Sequence, residues 1–206
     1  MSLAGYTPET RTVPLGGDRS FAVQGLSLNH VSVLVREHFP DLDAIVELFQ
    51  NFDKLTPDQF QPLALSLISQ APGFVANVIA LAAGEGDASD AEKLPAPVQL
   101  LALQAIGELT FTEEPDEEIH EGPDNRFLSF YVGLRRDVNL LMSEGHPQAR
   151  DYVIAFVWSE ARIVRQRNAS RVKQDAILMQ MIIGSQFDSK AGKRLAKLLK
   201  RLDESG

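Results

Sequence analysis

No cysteine occurs among the 206 residues. A disulfide framework, a thiolate zinc site and a cysteine nucleophile are therefore excluded, and the composition suits a reducing compartment. Long apolar runs are also missing. The longest, FVANVIALAAG at residues 74–84, is interrupted by Asn77 and is about half of what a membrane-spanning helix needs. The first residues, MSLAGYTPETR, have neither a basic start nor an apolar stretch, so no secretory signal is expected. These absences together predict a soluble, cytoplasmic chain.

Motifs for catalysis and ligand binding are equally scarce. The four histidines are His30, His38, His120 and His146. The first two are eight residues apart on one predicted helix, roughly 12 Å along its axis and too far to share a metal. His120 falls in an acidic segment and His146 in a turn before Pro147, each without a second ligand nearby. The acidic residues from Glu113 to Glu121 lack the alternating Asp spacing and closing Glu of a calcium loop. Gly16-Gly17 and Gly84-Glu85-Gly86 lack the Lys-Ser/Thr that completes a phosphate loop. There is no Gly-x-Ser-x-Gly elbow. No catalytic residue, metal site or cofactor is expected, and the chain reads as a protein that works by binding rather than as an enzyme.

What the chain does have is ordinary globular content, 44% hydrophobic and 23% charged residues, and enough length for a core that needs no metal or disulfide. Its charge is unevenly placed. Eleven Lys or Arg against five Asp or Glu give residues 160–206 a charge of +6, which leaves −14 of the total −8 on residues 1–159. An acidic body with a basic end favours self-association or an acidic partner. A densely acidic segment at 112–125, with seven Asp or Glu, two Pro and one Gly, reads as a solvated linker. The expected organisation is an N-terminal hairpin and helical domain over 1–111, that linker, and a C-terminal helical region over 126–206.

Residues 10–24 hold two β-type runs, RTVPL and RSFAV, joined by Gly16, Gly17 and Asp18, a composition that supplies the positive φ angles of a tight hairpin. Pro14 makes the first strand an edge, and a lone ribbon must pack on something. Gly25 breaks the strand and Ser27 is a candidate N-cap for a helix carrying Leu28, Val31, Leu34 and Val35 on one face. Pro40 ends it, and a short helix is expected over 42–52. Thr56-Pro57-Asp58-Gln59 is a capping box with proline at the first helical position, opening a helix that Pro72 and Gly73 interrupt. Residues 74–83 predict a helix buried on most sides, and 84–93 a polar hinge loop. Further helices are predicted over 97–109, with Leu101, Ala105, Ile106 and Leu109 inward, over 125–142, from Gln148 onward, over 173–187 and over 190–202. The fold class is therefore mainly α, an irregular bundle of about eight helices with an N-terminal β-hairpin.

Two stretches stand out as binding candidates. RIVRQRNASRVKQ at 162–174 and KRLAKLLKR at 193–201 are rich in base, with Arg162, Arg165, Lys193, Lys197 and Arg201 as contact candidates. Such residues can neutralise phosphates. The acidic body would repel DNA, and no aromatics interleave with the arginines to stack on bases, so a protein partner ranks above nucleic acid. Met179 and Met181, in an apolar segment, and the apolar helix at 74–83 suit adaptable contact with another helix; both also suit plain core. On the hairpin, Phe21 and Val23 are the side chains placed for contact.

Residues 13–49, VPLGGDRSFAVQGLSLNHVSVLVREHFPDLDAIVELF, resemble the N-terminal region of tail assembly chaperones, or pre-tape-measure proteins, of bacteriophages with long non-contractile tails. The likeness rests on the hairpin, the F-x-V-x-G-L-S step at residues 21–27, the V-L-V-R-E-H helix at 33–38 and the D-L-x-x-I-x-x-L-F helix at 41–49. It implies a non-enzymatic chaperone in the cytoplasm of the infected bacterium, one that binds the tape measure protein, keeps it soluble and helps recruit tail tube protein. It further implies a homo-oligomer that is absent from the finished virion and, in many members, a longer form made by ribosomal frameshift. A structural adaptor retained in the tail or head-tail junction, and a nucleic-acid-binding regulator acting through the basic end, are the alternatives. Virion mass spectrometry and salt-dependent DNA affinity separate them. With the resemblance in view, the hairpin is the expected place for subunits to join.

Overall fold

The computed structural model describes residues 6–38, 57–112, 126–187 and Lys193. Among them the chain forms one β-hairpin and seven α-helices, so the mainly α fold with an N-terminal hairpin is the observed one. Two compact units are present, Met1–Ala161 and Arg162–Gly206. The first unit includes residues on both sides of the acidic segment. Positions 113–125 themselves lie outside the described residues, as do the expected helix at 42–52, that at 190–202 apart from Lys193, and the cap residue Thr56.

Strands β1 (Thr10–Gly16) and β2 (Arg19–Gln24) pair antiparallel, with Val13 opposite Phe21, Arg11 opposite Val23 and Gly16 opposite Arg19. Gly16 and Gly17 hold φ of 96° and 62°, the left-handed region that glycine enters without a Cβ penalty. Alternation sorts the faces. Val13 and Val23 are buried, whereas Thr12, Pro14, Ser20 and Ala22 on the other face are exposed. Helix α1 (Leu28–His38) follows at once. Its cap at Ser27 is reciprocal: Ser27 Oγ accepts the His30 N–H at 3.3 Å, and the Ser27 N–H is donated to His30 Nδ1 at 3.4 Å. His30 thus fills the position that Glu or Gln holds in a capping box.

Helices α2 (Pro57–Gln70) and α3 (Pro72–Ala83) meet at a 109° bend. The junction residue Ala71 has φ −136° and ψ 58°, as expected for a residue that a following proline keeps out of the α region. Seven of the twelve residues of α3 are buried, which matches the all-round apolarity of its sequence. It is the central element of the first unit, touching α1, α2, β2 and the two helices that follow. Asn77, the one polar interruption, has its side-chain amide 2.6 Å from His38 Nε2 of α1. No single helix among the described residues is long and apolar enough to cross a membrane.

Residues 84–93 are not a plain loop. They contain a one-turn helix, α4 (Ser89–Glu92), started by Asp87, whose carboxylate accepts both the Ser89 N–H at 3.0 Å and the Ser89 hydroxyl at 2.8 Å. The side chain of Asp supplies locally what a cap residue supplies to a longer helix. Helix α5 (Ala96–Thr110) turns Ala102, Leu103 and Ile106 inward, while Leu101 is 46% exposed. Nearly every residue from 98 to 106 is apolar, so periodicity alone could not centre the buried face.

Helix α6 (Arg126–Ser143) is followed by the expected turn at Gly145. The helix expected from Gln148 begins later: residues Ala149–Asp151 form a 3-10 turn, Val153 bridges to Ser27, and α7 starts at Ile154. Once begun, α7 continues to Phe187 for 34 residues, merging two predicted helices. Between them Asn168 and Ser170 are weak breakers, and no Pro or Gly intervenes before Gly184.

Candidate partner-binding site

The F-x-V-x-G-L-S step acquires its meaning from residues 25–27. This short extended segment threads between the end of α5 and the residues just before α7. The Leu26 N–H is donated to Thr110 Oγ1 at 2.9 Å, the Thr110 hydroxyl is donated to the Ile106 carbonyl at 2.6 Å, and the Ile154 N–H is donated to the Leu26 carbonyl at 2.9 Å. A Cβ on Gly25 would stand 2.5 Å from Val153 Cγ1 and 2.8 Å from the Leu109 carbonyl oxygen. Glycine is present here for close approach. Arg11 of β1 forms an ion pair with Glu108 of α5, so the hairpin is fastened to α5 through both strand and junction.

Around this seam two aromatic groups complete the first unit. Tyr6 stacks on Phe156 at 4.6 Å between ring centroids, touches Tyr152 at 4.7 Å, and accepts the Val153 N–H at 3.2 Å. Burial raises the Tyr6 phenol, partly offset by that hydrogen bond. Trp158 lies 6.0 Å from Phe111 and 6.3 Å from Phe130, joining residues from before and after the acidic segment. Sequence reading missed both groups because the partners are far apart along the chain; the only local signal was an aromatic residue near the start.

His30 offers a measurable consequence. Burial pushes its imidazole down, with nearby Asp151 opposing, and protonation at Nδ1 would turn the acceptor of the Ser27 N–H into a donor. A base whose folded pKa is depressed leaves the unfolded chain binding more protons, so stability holds above about pH 6.5 and falls as pH drops toward the folded value. One proton gives at most about 1.4 kcal/mol per pH unit. Melting temperature measured from pH 7.5 to 5 should therefore decline less steeply in His30→Gln, which keeps the capping box; an identical slope would show that His30 does not titrate on unfolding.

The predicted contact residues fall in different places. Val23 is fully buried against the body and Phe21 is half-buried. Arg162 and Arg165 are half-buried, Met181 is half-buried, and Met179 is 69% exposed. Two residues apart on a helix, the two methionines project about 160° from each other. Lys193 is exposed; Lys197 and Arg201 lie outside the described residues. The apolar helix α3 is core. What α7 presents in the second unit is different: Val172, Ile177, Met179 and Ile183 are each more than half exposed. A run of large apolar side chains left in water is the usual mark of an interaction surface.

No cluster of three or more His, Asp or Glu that could hold a metal occurs among the described residues. His38 is committed to Asn77 and stands edge-on to Phe74 at 5.3 Å. His146 packs edge-on to Tyr152 at 6.1 Å.

Comparison with known families places the chain among the proteins of bacteriophage tail assembly, which act in the infected host cell. The matching family model is that of the pre-tape measure protein, over residues 1–119, and the chain belongs to that family. No curated protein and no solved structure matches it. The matched segment contains the hairpin, the threaded junction and helices α1 to α5.

Proposed function

We propose that this protein is a non-enzymatic tail assembly chaperone that binds the tape measure protein, keeps it soluble and helps bring tail tube protein to it. The observation that carries the reading is the exposed apolar stretch of α7 in a chain of this family. Val172, Met179 and Ile183 lie in a segment that ends the described helix, where an amphipathic client helix can lay its own apolar face. The net charge of −8 supports solubility of such a complex. Self-association through the hairpin and absence from the finished virion belong to the same proposal. Support for the hairpin is that its sheet has only two strands, so β1 is an edge strand of the kind that pairs with another chain.

The test is co-expression with the tape measure protein of the same phage. Its soluble fraction should rise several-fold when this chain is present, and the two should co-purify. An unchanged soluble fraction, or persistence of this chain at fixed stoichiometry in purified virions, would replace the chaperone reading with that of a tail component.

A further inference from the structure

The second unit carries a surface whose chemistry narrows its occupant. Val172, Ala176, Met179 and Ile183 are spaced four, three and four residues apart, the a/d spacing of a helix-pairing seam. All four are exposed, Val172 at 67%, Met179 at 69% and Ile183 at 58%. At 100° per residue they fall within about 60° of one another around the helix. Exposed Lys173 and Arg171 lie on opposite sides of the same seam.

Charge decides between occupants. Exposed Arg171 and Lys173 flank the seam against one exposed carboxylate, Asp175. Pairing this helix with the same helix of a second copy in parallel would set like charges side by side, which destabilises a helix pair. A helix with an apolar stripe flanked by Glu or Asp gains on both counts: it covers the seam and meets the base.

We propose that the seam Val172–Ala176–Met179–Ile183 of α7 is a docking site for an acidic amphipathic helix. The proposal rests on the chaperone reading in one respect, that such a helix would belong to the client; the site's chemistry stands on its own. Shape gives the apolar anchor and charge gives orientation, with Lys173 and Arg171 speeding encounter at low salt.

The experiment uses the full chain and three synthetic helical peptides of about three heptads, identical in their Leu/Ile stripe and flanked by Glu, by Lys, or by Glu with the stripe replaced by Ser. Fluorescence anisotropy at about 50 mM and about 300 mM salt should show binding of the Glu-flanked peptide, at least tenfold weaker binding of the Lys-flanked one, and none of the Ser-stripe control. Met179→Asp with Ile183→Asp should abolish binding while far-UV circular dichroism and melting temperature match the parent chain. Lys173→Glu should weaken the Glu-flanked peptide severalfold and narrow the gap between the two salts. Equal binding of Glu- and Lys-flanked peptides, retained binding by the double Asp variant, or concentration-dependent dimerisation that the double Asp variant removes would each overturn the proposal, the last by assigning the seam to a second copy. Binding to anionic phosphatidylglycerol vesicles in place of the peptide would overturn it as well. If co-expression solubilises the tape measure protein equally well with the double Asp variant, this site is wrong and the chaperone reading stands; if the peptide binds but co-expression has no effect, the reverse holds.

Discussion

Replacing Gly25 with alanine is expected to lower stability by about 3 kcal/mol, the upper end of the usual cost of overpacking. The added methyl meets Val153 Cγ1 at 2.5 Å and the carbonyl group of Leu109 at 2.8 and 2.9 Å. A side chain can move aside; the backbone of α5 cannot without disturbing Thr110, whose hydroxyl accepts the Leu26 N–H one residue along. Any shift that relieves the clash stretches that buried hydrogen bond and the one from the Ile154 N–H to Leu26, so the two costs add. For a chain of this size, about 3 kcal/mol lowers the melting temperature by roughly 6–12 °C. Gly73→Ala is the control, because nothing lies within 4 Å of the Cβ there, and alanine in a helix gains up to about 1 kcal/mol over glycine. If the two variants melt together, residues 25–27 do not thread between α5 and α7 as described.

Much of this architecture was legible because its signals are local. The hairpin is written in Gly16-Gly17-Asp18, the break between α2 and α3 in Pro72, the start of α1 in Ser27, and the burial of α3 in a composition with one polar residue. Each is decided by sterics or by hydrogen bonding within a few residues. What escaped depends on distant partners. Gly25 reads locally as a strand breaker, yet its role is set by Leu109 and Val153, more than eighty residues away in sequence. The late start of α7 follows from Val153 bridging to Ser27, a pairing across most of the first unit. Asp87 starting α4 is local, and was hidden only by the polarity of its surroundings.

The site was legible to a different degree. Basic residues at 162–173 and the Met-containing segment after them read from sequence as candidates for binding, but sequence could not say which apolar residues are core. Residues 74–83 and 176–183 are similarly apolar, and the structure buries the first while leaving Met179 and Ile183 exposed. Hydrophobicity predicts burial against something; which surface supplies the cover is a property of the fold and its partners. Val23 and Phe21 show the same limit on the hairpin, since alternation places both on the inward face that meets the body.

Phe74→Ala tests that distinction at its other end. Phe74 is 1% exposed, sits in the first turn of α3, and stands edge-on to His38. Removing the ring should cost about 3–5 kcal/mol, the transfer free energy of the lost atoms plus the cavity they leave. Against a total of about 5–15 kcal/mol, that places the variant near the edge of folding at physiological temperature. Denaturant titration should show a lower midpoint with an unchanged slope, because the surface exposed on unfolding is nearly the same. Leu63→Ala, at a position 45% exposed, should stay within about 1 kcal/mol of the parent. The two kinds of apolar residue then separate by what they change: Phe74→Ala reduces the amount of folded protein, whereas Met179→Asp leaves the midpoint in place and alters only what the protein can hold. A loss below about 1 kcal/mol for Phe74→Ala would mean that α3 is not the central element of the first unit, and the hairpin and α5 would have to be held by something else.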